Sequence, residues 1–517
     1  MSATWVPFRI ATGTQGYMAD ADVRESASVS HLYGQKFVAC ESLTVPGDHK
    51  RAYTFCPENL KPTIDQEFAA GANRIVIHES AHQPRDDKFP GMGLLHYGQW
   101  FNRHETWAHL ARVWTDYIAR TSFLLQQGQF VGDILVYYGE DSAVCAEYGI
   151  TPPALPQGYA YDYVSPGCLM DLSSRRGKVV APSGSSYEVL VLGNNTDIMS
   201  VKVLRKLSEL VENGVKIAGQ APTQMASNSD SAEEFARLVG NIWGEGRSNV
   251  FGSVEEALCC SANDVDGPEA VDFVHRNLGN TQIYWLSNKS EEPVSEELSF
   301  RVSGKKPQCW NPESGEVSDV TYRIAEGRTY VSLDMMPHDA FFIVFSEKAD
   351  LTEYTVPESE TKELFEVTGP WEVAFQQGRG APESIEMENL VSFTESDIPG
   401  VKYFSGTAVY RKKVSLPESE GKLMLDLGSV KNLAEVYVNG ERAAVLWREP
   451  FACEIGQMAR AGENDLEIRV TNLWVNRLIG DEQPGAERLT FTPAKFFGPD
   501  DSLLPSGLLG PVIVFTK

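Results

Sequence analysis

Short apolar runs without alternation recur through the first 220 residues: 36–40 (KFVAC), 74–77 (RIVI), 133–138 (DILVYY), 188–192 (EVLVL) and 215–218 (VKIA). Such runs, rich in β-branched residues and ended by polar ones, predict strands of a parallel sheet buried on both faces. Helical spacing fills the gaps between them. Residues 22–33 place Val23, Ala27 and His31 four apart, and residues 61–70 run into Gly71, a glycine suited to a helix C-terminus. Residues 105–127 repeat Trp107, Leu110, Trp114, Ile118 and Leu125 at helical intervals before Gly128. Residues 201–213 carry Val203, Leu204, Leu207, Leu210 and Val211 on one face before Gly214.

After about residue 265 the period changes. The runs 283–288 (IYWLSN), 298–302 (LSFRV), 330–333 (YVSL) and 341–345 (FFIVF) are short and strand-like, and 311–316 (NPESGE) reads as a turn. The acidic segment 347–366, with Pro357, reads as a linker. Further strands follow at 408–414, 422–428, 434–443, 464–470 and 509–515, and Asn439-Gly440 predicts a tight type I′ hairpin. The expected architecture is multidomain α/β plus all-β. It comprises a partial (β/α)8-type barrel over 1–185, a βαβ unit over 186–265 and a small β-sandwich over 266–350. A C-terminal jelly-roll β-sandwich covers 351–517, with its core at 366–517.

Bulk properties narrow the function. The length of 517 residues accommodates roughly two to four domains. A net charge of −26 argues against nucleic acid, whose phosphates would be repelled. Eight cysteines are scattered without a C-x-x-C pair, which signals neither a zinc ribbon nor a disulfide framework. No apolar run approaches the roughly 18 residues needed to span a bilayer. The N-terminus lacks a basic region followed by an apolar core. The chain as written therefore reads as cytoplasmic, or as periplasmic or secreted if its N-terminus is truncated.

Candidate chemistry is concentrated in 74–107. After the strand at 74–77 come His78, Glu79, His82, Gln83, His96, Tyr97, Trp100, Asn102, His104 and Trp107, imidazoles and amides mixed with aromatic rings. That mixture suits a ligand with polar edges and apolar faces, such as a sugar. His78-Glu79-Ser80-Ala81-His82 also matches the H-E-x-x-H zinc signature, which needs both histidines on one helical face. The strand before it and Pro84 after it deny that helix, so a zinc protease is set aside. Glu41, Glu79 and Glu140 each close a predicted strand, where (β/α)8 barrels carry their catalytic groups.

Several segments resemble glycoside hydrolase family 106: A-S-V-S-H-L-Y-G at 27–34, V-A-C-E-S at 38–42, H-x-x-x-H-Q-P at 78–84, P-G-M-G at 90–93, F-N-R-H-E-T-W at 101–107 and V-Y-Y-G-E at 136–140. Residues 427–455 and 462–481 resemble the galactose-binding-like jelly roll of many glycoside hydrolases. The resemblance implies an α-L-rhamnosidase-like enzyme with an incomplete or distorted barrel, inverting chemistry on terminal rhamnosyl groups and a calcium ion near the sugar. Inversion pairs a general acid with a carboxylate that activates water. By its place in V-A-C-E-S, Glu41 is expected to be one of the two, as the acid, and an acid at neutral pH needs a raised pKa. Glu140 is the second candidate, as base or support, and His78, His82, Gln83, Asn102 and Trp107 are expected to hold the sugar. Relatives carry several hundred residues ahead of this region, including the first barrel strands. A separate chain supplying those strands is one expectation. The alternative is a catalytically incomplete fragment that acts as a carbohydrate-binding or structural module.

Overall fold

Strands β1 (Ser2–Ala3), β2 (Ala39–Ser42) and β3 (Arg74–Ile77) form a three-stranded parallel sheet. The computed structural model describes residues 2–3, 16–44, 51–94, 101–140, 154–357, 359–418 and 421–517. Helices α1 (Gly16–Tyr33) and α2 (Pro57–Ala69) lie in the connections. α2 starts before the expected residue 61 because Pro57, which has no N–H to lose, fits its first turn. α3 (Arg112–Leu125) starts later than residue 105. Ahead of it the backbone winds through tight turns, with Glu105 N donating to Asn102 O and Ala108 N to Glu105 O.

The strand β4 (Gln129–Phe130) leads into β5 (Ile134–Tyr137) and β6 (Tyr161–Val164). A five-stranded parallel sheet runs Val250–Phe251, Lys216–Ala218, Val189–Leu192, β5, β6. In chain order this is 5-4-3-1-2, the order of flavodoxin-like doubly wound sheets. Every residue of β5 and of Val189–Leu192 is buried, which is why those runs do not alternate. The sheet crosses the boundary expected at 185, and β5 and β6 side with the segment expected to stand apart as 186–265. An apolar run specifies burial on both faces and leaves its neighbour open. α1 packs beside β6, where Ser28 Oγ and His31 Nδ1 lie 3.1 and 2.9 Å from the fully buried Asp162 carboxylate.

The middle of the chain folds as two antiparallel sheets around one core. One contains Val271–Leu278, Thr281–Asn288, Lys305–Trp310 and Ala340–Lys348, with β4 added at its edge. The other contains Val294–Phe300, Tyr322–Ala325 and Arg328–Met335. The expected linker is narrower than 347–366, because Glu353–Tyr354 joins the second of these sheets and Lys362–Glu366 the next domain. The C-terminal part is again antiparallel, a six-stranded sheet centred on Thr407–Leu416 and Gly462–Thr471 facing a four-stranded one. Its hairpin turns at Asn439 and Gly440, whose φ values of 53° and 84° are those a type I′ turn requires.

A single aromatic-rich core joins these parts. It takes Tyr53 and Phe68 from around α2, Trp107 and Trp114 from the long loop and α3, Trp285 and Phe342 from the middle sheet, and Trp447, Trp474 and Phe496 from the C-terminal domain. Among the described residues no helix is long and apolar enough to cross a membrane.

Candidate active site

β2 and β3 pair in parallel with Glu41 opposite Val76 and Ser42 opposite Ile77. Side chains alternate across a strand, so Cys40 and Ser42 point into the protein and are buried, whereas Glu41 is half-buried on the other face. Beneath the strand end, Ser42 Oγ donates to Glu67 Oε1 at 2.8 Å, both side chains being buried. His78 follows Ile77, its N–H donating to Ser42 O at 2.9 Å. The backbone of His78 is therefore held at the end of β3 beside the last residue of β2, and its Nδ1 is buried without a hydrogen-bond partner. No helix forms over 78–82, so the zinc-protease geometry is absent.

The loop after β3 places the remaining candidates differently. His82 is exposed. Gln83 is buried and holds the loop to itself: its Nε2 donates to Met92 O at 2.6 Å and its Oε1 accepts from Met92 N at 2.8 Å. A side chain at Gly91, where φ is +95°, would collide with that amide. Asn102 Oδ1 accepts from His104 N at 2.8 Å, shaping the turn before α3. Trp107 is completely buried between Phe101 and Trp114, leaving no face for a sugar. Gln83, Asn102 and Trp107 thus build the loop and its packing. Their side chains are polar or aromatic, which signals sugar contact and packing alike, and burial alone separates the two. His96, Tyr97 and Trp100 lie outside the described residues.

The strand-end carboxylates do not converge on one sheet. Glu79 Oε1 accepts from Leu94 N at 2.8 Å. Glu140 follows β5 in the five-stranded sheet, and its Oε2 accepts from Ser200 N at 2.6 Å, at the start of the helix Val201–Glu212. That geometry suits the support role rather than the base, because a carboxylate beside the first N–H groups of a helix stabilises it.

A buried carboxyl outside the candidates named from the sequence stands further along the loop. Glu105 is 4% exposed; Thr106 N and Oγ donate to its Oε1, and Oε2 has no partner. Burial pushes its pKa up to about 8, against the two Thr106 bonds that favour the carboxylate. It lines a cavity of about 510 Å³ between this loop and the C-terminal domain. Among the described residues no group of three or more His, Cys, Asp or Glu side chains is placed to hold a metal ion.

A family model described as alpha-L-rhamnosidase matches residues 1–324. The solved rhamnosidase from Novosphingobium sp. PP1Y superposes over 100% of this chain with a TM-score of 0.93 and 40% identity, and this chain covers 51% of it. A protein from Formosa agariphila named as a putative beta-glucuronidase is 26% identical over 94% of this chain and 63% of its own length. The chain thus spans between half and two thirds of these relatives.

Proposed function

Because the chain belongs to the alpha-L-rhamnosidase family, glycoside hydrolase family 106, we propose that it hydrolyses terminal α-L-rhamnosyl linkages of polysaccharides or glycosides with inversion. The carrying observation is the pair of adjacent parallel strand ends: Glu41 half-exposed on β2, and His78 just after β3 with its N–H bonded to Ser42 O. In this reading the parallel strands β1 to β3 are part of a (β/α)8-type barrel whose other strands come from a longer chain or a separate one. Glu41 protonates the glycosidic oxygen as the bond to the anomeric carbon breaks. A second carboxylate removes a proton from the water attacking the opposite face, about 6.5–9.5 Å away. His78 and His82 are the donors to sugar hydroxyls, and Glu140 supports the neighbouring sheet. The antiparallel C-terminal domain is the galactose-binding-like jelly roll.

Release of nitrophenol from nitrophenyl α-L-rhamnoside by the purified chain tests this against Glu41→Gln. Loss of a general acid is expected to lower the rate about 10²–10⁴-fold. Equal rates in parent and variant would remove Glu41 from the chemistry, and faster turnover of the nitrophenyl β-glucuronide would reassign the sugar.

A second reading, a catalytically incomplete carbohydrate-binding or structural module, is favoured by the open face of the small sheet. Val76, opposite Glu41, is 41% exposed, although parallel strands are normally covered on both faces. A folded chain inactive on every nitrophenyl glycoside supports it.

A further inference from the structure

The cavity beside Glu105 contains a cation without a counter-ion. Arg379 projects from the C-terminal domain with its guanidinium 4.1 Å from the ring centre of Phe89 and 4.3 Å from that of Trp474. Its Nη1 is buried without a hydrogen-bond partner, and among the described residues no carboxylate pairs with it. Burial lowers its pKa to about 10, with no acidic neighbour to offset the cost. The lining also includes Glu105, with its unpartnered Oε2, and His104, whose ring nitrogens make no hydrogen bond and whose Nε2 is 3.7 Å from Asp86. Asp86 is already neutralised by Arg103 at 2.7 Å. Gln376 lines the C-terminal side.

Buried polar groups without partners are rare, and each one costs stability unless something satisfies it. Here Arg379, Glu105 and His104, each carrying buried polar atoms without a partner, line one cavity of about 510 Å³, the size of a small-ligand site. Their chemistry selects the occupant. A planar guanidinium prefers a carboxylate. A Glu105 that keeps its proton at neutral pH adds no charge against an anion and can donate to a hydroxyl. We propose that this cavity is a binding subsite for a uronic-acid residue, its carboxylate on Arg379 and a ring hydroxyl on Glu105. The rhamnosidase reading enters only in making the ligand a sugar; Glu41 does not line the cavity.

Calorimetric titration of the 517-residue chain with methyl α-glucuronide, methyl α-glucoside and inorganic sulfate tests the proposal. The glucuronide is expected to bind at least about tenfold more tightly than the glucoside or sulfate. Arg379→Met should weaken it roughly tenfold or more, and Arg379→Lys should restore part of the loss, with circular dichroism showing each variant folded. Equal affinity for glucuronide and glucoside would overturn the proposal, as would unchanged binding by folded Arg379→Met or no binding by the folded parent. Sulfate bound as tightly as the glucuronide would make this an anion site and overturn the sugar assignment. Glu41→Gln should bind the glucuronide normally, so failure of the rhamnosidase reading and failure of this one are read from different experiments.

Discussion

Glu105 is the residue at which local chemistry departs furthest from its ordinary behaviour, since its carboxyl titrates near 8 instead of 4.5 because burial penalises the anion. The unfolded chain releases this proton near 4.5 and the folded chain near 8, so between those values the folded state holds one proton more. Stability from this group is complete below the lower value and is lost as pH rises through the upper one, by an amount of order a few kcal/mol. Glu105→Gln, which keeps the shape without the charge, should flatten that dependence. Thermal unfolding of the unliganded chain at about pH 5 and pH 9 reads it: the parent should lose more melting temperature than the variant, and parallel losses would contradict the assignment. Trp107 shows how much of the site was legible at this scale. An aromatic after a strand is equally a sugar platform or a core plug, and only its zero exposure decides.

At the scale of elements, the periodicities located the helices and strands but not their partners. The helix Val201–Glu212 begins where its pattern predicts. Its N-terminus is closed by three oxygens: Ser200 Oγ accepts from Val203 N, Asp230 Oδ2 from Val201 N and Glu140 Oε2 from Ser200 N. Glu140→Gln is therefore expected to cost about 1 kcal/mol of stability, measured by urea unfolding, and to leave rhamnoside turnover near the parent's. A collapse of turnover with unchanged stability would return Glu140 to the catalytic pair. Glu41 and Glu140 look alike in sequence, each at the end of an apolar run. Pairing separates them, one strand lying in the three-stranded sheet and the other in the five-stranded sheet.

The whole molecule is held by contacts between segments far apart in sequence. Arg448 of the C-terminal domain reaches two carboxylates of the middle sheets, Glu313 at 2.7 Å and Asp339 at 2.6 Å. Burial opposes its charge, and the two acids more than offset that, holding its pKa above the usual arginine value. Arg448→Met strands both acids. The three side chains keep 15–20% exposure, so the expected cost is about 2 kcal/mol, less than the 3–5 of a fully buried pair. Scanning calorimetry should show the C-terminal domain melting earlier, and an unchanged trace would mean that the aromatic core alone holds it. The composition, the change from helical to alternating period near residue 265, the Asn439-Gly440 turn and the family-like motifs around Glu41 and His78 were all legible along the chain, because each is a local property of neighbouring residues. Tertiary structure alone decided that β5 leaves the sheet of β2 and β3, that Gln83, Asn102 and Trp107 brace the loop, and that Arg379 and Glu105 line one cavity. Those outcomes depend on which distant surfaces exclude water together, and that is not a property of any one stretch of sequence.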